Sequence, residues 1–168
     1  SIHGTSTAKA SHLGVSANDL QLSSLDEDER KEAVRLAQAT VALASQVGAK
    51  AIVVHAGRVE MDPHLEGKLH QLYKEGNSEE FEAARRKLIQ VRALWAKPYF
   101  QAARKSLLEL ADFSRGKGVK IGLETRSHFS EIPQLEEMER LLEELPSELV
   151  GYWHDAGHAE VKSRLGLT

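Results

Sequence analysis

The stretch with the most chemical potential in this sequence is Val150–Ala159, an apolar run that ends in one carboxylate and two imidazoles. The apolar residues predict a strand. A carboxylate at the end of a buried strand is costly unless it is paired or bound to a metal, so Asp155 is a candidate metal ligand. His158 follows three residues later, where a loop would let it reach the same place. His154 has the opposite strand parity, and we interpret it as structural.

Three other predicted strands end in a polar residue of the same parity: His3, His55 and Glu124. In a barrel of parallel strands, the face away from the helices is the interior, and active sites form at the carboxyl ends of the strands. Two imidazoles and two carboxylates that meet there would suit a divalent cation. A lone histidine at a strand end is more often a hydrogen-bonded structural residue. The hypothesis therefore depends on all four strands sharing one parity.

Short β-branched runs alternate with helical patterns along the chain. We predict strands at residues 1–4, 51–57, 119–125 and 149–155, and helices from Asp26 to Gly48, around Leu65–Lys74, from Glu79 to about Arg115 and from Pro133 to Pro146. Pro98 should break or kink the long helix that contains it. Residues 5–24 are interpreted as a loop and 160–168 as a tail. This alternation indicates an α/β fold of parallel βαβ units with right-handed crossovers.

The composition indicates one domain over residues 1–168 and limits the kinds of site that it can contain. Without cysteine there are no disulfides, thiolate nucleophiles or cysteine zinc sites, whereas eight histidines leave imidazole and carboxylate as metal ligands. No apolar run approaches the roughly 20 residues of a membrane span, and no signal peptide is evident. We therefore expect a cytoplasmic protein with no membrane partner. The net charge of −3 disfavours nucleic acid as a partner.

The segments Ile121–Arg126, Ile132–Pro133 and Val150–Ala159 resemble the xylose isomerase-like TIM-barrel superfamily. That superfamily includes sugar isomerases and epimerases and the class II apurinic endonucleases. Ser1–His3 and Val53–Gly57 are similar to it as well. The resemblance covers most of the chain. It implies part of a TIM (β/α)8 barrel, about four strands, from the second to the fifth.

The resemblance also implies roles for the polar strand ends. Glu124 would be a metal ligand that doubles as an acid/base, and Asp155 would be a second ligand. His158 would take part in catalysis or, in the nuclease branch, bind a further metal. The residues implied to bind substrate are His3, His55, Arg126 and His158. The implied cofactor is a divalent ion (Mg, Mn, Co or Zn), and the implied substrate is a small sugar or sugar phosphate.

Three functions are open at this stage. In a metal-dependent isomerase or epimerase, a cation would hold adjacent substrate oxygens while a carboxylate such as Glu124 moves the proton beside the carbonyl. In a zinc phosphodiesterase of the apurinic endonuclease type, the acidic balance would be unfavourable for DNA. A non-catalytic fragment is the third reading, because family members continue to later strands that supply another histidine and a final acidic ligand. Open sheet edges would then favour association with another copy.

Overall fold

Strands and helices alternate along residues 2–3 and 21–168, the part of the chain that the computed structural model describes. The strands are β1 (Ile2–His3), β2 (Ala51–Val54), β3 (Lys120–Glu124) and β4 (Val150–Trp153), and the helices are α1 (Glu27–Gln46), α2 (Pro63–Glu75), α3 (Ser78–Ser114), α4 (Leu135–Glu144) and α5 (Ala156–Arg164). Most of the predicted loop over residues 5–24 lies outside the described residues. The predicted strands and the first four helices are present, with ends shifted by a few residues.

The described strands form one parallel sheet in the order β1-β2-β3-β4. This confirms the predicted α/β class built from βαβ units. Val54 pairs in register with Leu123, so the next residues, His55 and Glu124, lie side by side where the two strands end. Glu124 is in turn level with Trp153 of β4. The register therefore brings the ends of three neighbouring strands to the same level.

The main core lies between one face of the sheet and helices α1, α3 and α4. The strand residues in this core are Ile52, Val54, Ile121, Leu123 and Val150. They have the parity predicted for the helix side. On the opposite face, a Cβ atom placed on Gly122 would lie 3.0 Å from Trp153 Cε3, so the indole covers the sheet closely there. The predicted assignment of the two faces is therefore correct for β2 and β3.

A second, smaller core holds the end of the chain against α2 and α3. Its buried members are Leu69, Leu88, Leu165 and Leu167. Phe129, from the loop between β3 and α4, packs against them. This cluster fixes the chain after β4 close to the segments that follow β2 and β3.

The structure corrects several sequence predictions about helices. Helix α3 continues through Pro98 without a break. Proline removes the hydrogen bond to the Leu94 carbonyl, but Leu94 is 78% exposed, so water can replace the missing donor. Helix α4 begins at Leu135 with Gln134 as its N-cap, so Pro133 precedes the helix instead of opening it. The predicted tail is largely helical, because α5 extends to Arg164.

Strand β4 is less buried than its apolar sequence predicts. Val150 is buried, but Tyr152 is 42% and Trp153 38% exposed. Within the described residues, β4 pairs only with β3 and so lies at an edge of the sheet. Burial within the described residues therefore accounts for the apolar side chain of Val150 but not for those of Tyr152 and Trp153.

We expect Gly57→Ala to destabilise the fold by about 1–3 kcal/mol. Gly57 has a φ of +119°, and a Cβ atom there would overlap the Ser23 hydroxyl. A matched control is Gly67→Ala in α2, where a Cβ atom has nothing within 4 Å and alanine favours the helix. Urea unfolding followed by circular dichroism measures both. Equal unfolding midpoints for the two variants would contradict the prediction.

Candidate metal centre

The centre of the candidate site is the carboxylate of Glu124, at the carboxyl end of β3. Glu124 is only 3% exposed. The His55 Nε2 atom lies 2.6 Å from Glu124 Oε2, as the register of β2 and β3 leads one to expect. Burying a carboxylate this deeply is costly unless polar or charged groups contact it. His55 is one such partner, and the other carboxylate oxygen faces a second group of side chains.

Asp155 contributes the second carboxylate and also begins helix α5. Its Oδ1 atom accepts a hydrogen bond of 2.9 Å from the backbone N–H of His158, which makes Asp155 the N-cap. This hydrogen bond lowers the pKa of Asp155, against the smaller opposing effect of burial. Asp155 therefore remains an ionised ligand candidate at neutral and mildly acidic pH.

Glu124, Asp155 and His158 each place one potential ligand atom within 4.8 Å of the others. His158 Nδ1 lies 3.8 Å from both Glu124 Oε1 and Asp155 Oδ1, which is beyond hydrogen-bonding range. This nitrogen is buried and finds no hydrogen-bond partner among the described residues. An unpartnered imidazole nitrogen beside two carboxylate oxygens fits a divalent cation, because carboxylate and imidazole are its usual ligands in the absence of cysteine.

The structure brings together four of the predicted site residues: His55, Glu124, Asp155 and His158. The prediction that His158 lies in a loop is wrong, because it lies in the first turn of α5. Its position follows from the cap at Asp155, a residue type that favours helix starts, so the sequence did contain a signal for this helix.

Two predicted substrate-binding residues are not placed in this group. Arg126 is 41% exposed, and its guanidinium pairs at 2.6 Å with Glu131 in the same loop. A role for Arg126 in substrate binding stays a prediction. The side chain of His3 lies outside the described part of the structure, although its backbone is paired beside Val53. His154 contacts the Tyr152 hydroxyl through Nδ1 at 2.9 Å, and its structural role stays a prediction.

Residues 5–164 match the family model of the xylose isomerase-like TIM barrel. The chain belongs to the xylose isomerase-like TIM-barrel family. The resemblance seen in the sequence motifs is therefore confirmed. Among the helices that the structure describes, none has the length and apolar character to cross a membrane.

Solved structures of similar fold include sugar epimerases. A D-tagatose 3-epimerase-like protein matches with a TM-score of 0.60 and 20% identity over 88% of this chain and 48% of its own. An L-ribulose 3-epimerase matches with a TM-score of 0.58 and 14% identity, over 86% of this chain and 40% of its own. A candidate sugar phosphate isomerase/epimerase from Anabaena variabilis ATCC 29413 matches with a TM-score of 0.55 and 16% identity, over 90% of this chain and 41% of its own.

At these identities the likeness shows the fold of this xylose isomerase-like chain and nothing finer. The chain spans about half or less of the length of these three structures, so it represents part of a TIM barrel. A search of curated proteins gave no significant match.

Proposed function

We propose that this chain forms the metal-binding wall of a sugar isomerase or epimerase that acts by proton transfer beside a carbonyl. The observation that carries the proposal is the group of Glu124, Asp155 and His158, with ligand atoms within 4.8 Å of one another. The group lies at the carboxyl ends of parallel strands, where active sites of TIM barrels form. The His158 Nδ1 atom, unpartnered among the described residues, supports a cation over a closed hydrogen-bonded cluster.

Glu124 and Asp155 would hold the divalent ion, with His158 as a third donor. When bound, a Mg, Mn, Co or Zn ion would supply Lewis-acid polarisation of the substrate carbonyl. Carboxylate and imidazole donors accept all four of these metals, so geometry and availability would select among them.

The part of the chemistry that belongs to the chain itself is to hold and move a proton at Glu124. One carboxylate oxygen, Oε1, faces His158, while the other, Oε2, lies 2.6 Å from His55 Nε2. The contact with His55 fixes the orientation of the carboxylate. We expect Glu124 to take the proton beside the carbonyl and to return a proton to the same carbon, while His55, 2.6 Å from Oε2, keeps the carboxylate oriented.

A small sugar or sugar phosphate is the substrate class that this chemistry suits. An α-hydroxy carbonyl offers two adjacent oxygens to a cation and an acidic proton beside the carbonyl. The similarity in fold to a D-tagatose 3-epimerase-like protein and an L-ribulose 3-epimerase supports a ketose. Inversion of a carbon requires a second proton donor on the opposite face of the substrate, whereas exchange of its proton with solvent needs only one base.

Solvent exchange is therefore the appropriate test of the proposed function. The chain would be loaded with Mn²⁺, Mg²⁺, Co²⁺ or Zn²⁺ and incubated in D₂O with ketoses and ketose phosphates, including D-tagatose and L-ribulose. We expect the NMR signal of the proton beside the carbonyl to disappear only when metal is present. Absence of exchange with every ion would reject the proposal. Cleavage of an abasic DNA duplex by the zinc-loaded protein would instead favour the phosphodiesterase alternative.

A further inference from the structure

Helix α5 carries His158 and follows its N-cap Asp155, and the residue by which it packs onto the smaller core is the partly buried Val161. Within Ala156–Arg164 the one buried side chain is that of Lys162, which is 5% exposed. The leucines that anchor this part of the chain, Leu165 and Leu167, come after the helix and at the end away from the site. The first turn of α5 has no side chain in either core, so a polar contact is the candidate for fixing its position.

Lys162 makes that contact with Gln134. Its Nζ atom donates a hydrogen bond of 2.8 Å to Gln134 Oε1. The amide nitrogen of Gln134 donates in turn to the carbonyls of Glu131 at 2.7 Å and Phe129 at 3.1 Å. These residues belong to the loop that begins directly after Glu124. The contact thus joins the loop that follows Glu124 to helix α5, which has Asp155 as its N-cap and contains His158.

Helix α3 holds Gln134 in place from the other side. Arg92 is 6% exposed and donates to the Glu131 carbonyl at 3.1 Å and to the Glu137 carboxylate at 2.8 Å. Glu137 also accepts a hydrogen bond of 2.8 Å from the backbone N–H of Gln134. Gln134 is therefore fixed to α3 and α4 independently of α5, and it can serve as a reference point for that helix.

We infer that Lys162 and Gln134 are positioning residues whose hydrogen bond sets the distance of Asp155 and His158 from Glu124. Lys162 is four residues after His158 and lies on the same side of α5. The inference deepens the proposed function and rests on it for the metal-binding readout. The contact itself is testable without metal.

Burial of the charged Lys162 ammonium lowers the stability of the fold, so stabilisation alone does not account for a lysine at this position. Burial lowers the pKa of Lys162 to about 8, with Arg92 acting in the same direction and Glu131, Glu66 and Glu137 opposing them. Between pH of about 8 and the ordinary value of 10.5, the unfolded chain binds more protons at this group than the folded chain does. Stability from this group therefore rises across that window and is lowest at neutral pH. An apolar residue of similar length should be tolerated at least as well.

The test compares Lys162→Met and Gln134→Leu with the unaltered chain. We expect Lys162→Met to keep or raise the melting temperature at pH 7 while Mn²⁺ affinity, measured by calorimetry, falls roughly tenfold, as outer-shell changes do at metal sites. Gln134→Leu should weaken Mn²⁺ binding similarly. The double variant should lose no more than the larger single loss, because both changes remove the same contact. Lys74→Met, which alters an exposed lysine of α2, should change neither property.

A second readout separates this inference from the proposed function. In metal-free protein, amide hydrogen exchange over residues 155–160 should accelerate in Lys162→Met while exchange in α1 stays unchanged. If the unaltered chain binds no Mn²⁺, the proposed function fails and the exchange result alone decides the inference. Unaltered exchange, wild-type Mn²⁺ affinity, additive losses, or a fall in affinity matched by a fall in melting temperature would each overturn it.

Discussion

Glu124→Gln is expected to abolish measurable Mn²⁺ binding and to lower proton exchange on a ketose by on the order of 10²–10⁴-fold, the usual contribution of a positioned acid/base. Glutamine keeps the shape of the side chain but provides neither a negative charge for the cation nor a base for the proton. Glu124 is 3% exposed and lies between His55 and His158, so water cannot substitute for it easily. NMR in D₂O and calorimetry with Mn²⁺ measure the two effects.

The matched control for this variant is Glu139→Gln, which changes an exposed carboxylate of α4. It should leave exchange and Mn²⁺ affinity unaltered. Both variants should unfold near the wild-type temperature, because the Glu124 substitution removes a buried charge without leaving a cavity. Wild-type exchange in Glu124→Gln would show that the base lies elsewhere.

Substitution of Asp155 should have the second large effect, on both Mn²⁺ affinity and helix α5, because its carboxylate is a candidate ligand and also caps the helix. Asp155→Asn and Asp155→Ala should both lower Mn²⁺ affinity by at least the roughly 10–100-fold seen for outer-shell changes. Only alanine should also weaken α5, because asparagine can still accept the hydrogen bond from His158 N–H. Calorimetry and amide exchange over α5 separate the two functions. Equal exchange in the two variants would contradict the capping role.

The pH dependence of the unaltered chain follows from the same hydrogen bond. The pKa of Asp155 is lowered in the fold, so the unfolded chain takes up its proton first as the pH decreases. The stability that this carboxylate contributes is fully present above its ordinary value of 3.8 and is lost as the pH falls through the lowered pKa. Urea midpoints of wild type and Asp155→Ala should differ at pH 6, and the difference should shrink as the pH falls below 3.8 and through the lowered pKa. A constant difference would argue against the assignment.

The fold class and the polarity of the strand ends could be read from local sequence. Ile52, Val54, Ile121 and Leu123 occupy alternate positions along β2 and β3, and the two-residue repeat of a strand assigns such positions to one face. That was sufficient to predict that His55 and Glu124 share the inner face. The same local rules predicted too much burial for Tyr152 and Trp153, since exposure depends on which strands flank β4.

Helix α5 shows most clearly what the sequence could not reveal. Its one buried residue is a lysine, so the segment has no apolar stripe for periodicity to detect. Buried Lys162 finds its acceptor in Gln134, which contacts with Glu137 and, through it, Arg92 hold in place. These partners come from distant parts of the chain, and no spacing rule connects them.

The sequence by itself determined the residue types of the centre. It also determined the face of the sheet on which the strand residues lie, because that face follows from strand alternation. The tertiary structure decided which of them meet. Glu124 reaches His55 because β2 and β3 pair in that register, and it reaches Asp155 and His158 because β4 adjoins β3 and the cap at Asp155 turns the chain into α5. Distances between strands follow from pairing and packing across the whole molecule, which is why the His158 nitrogen that lacks a partner among the described residues appears only in the folded chain.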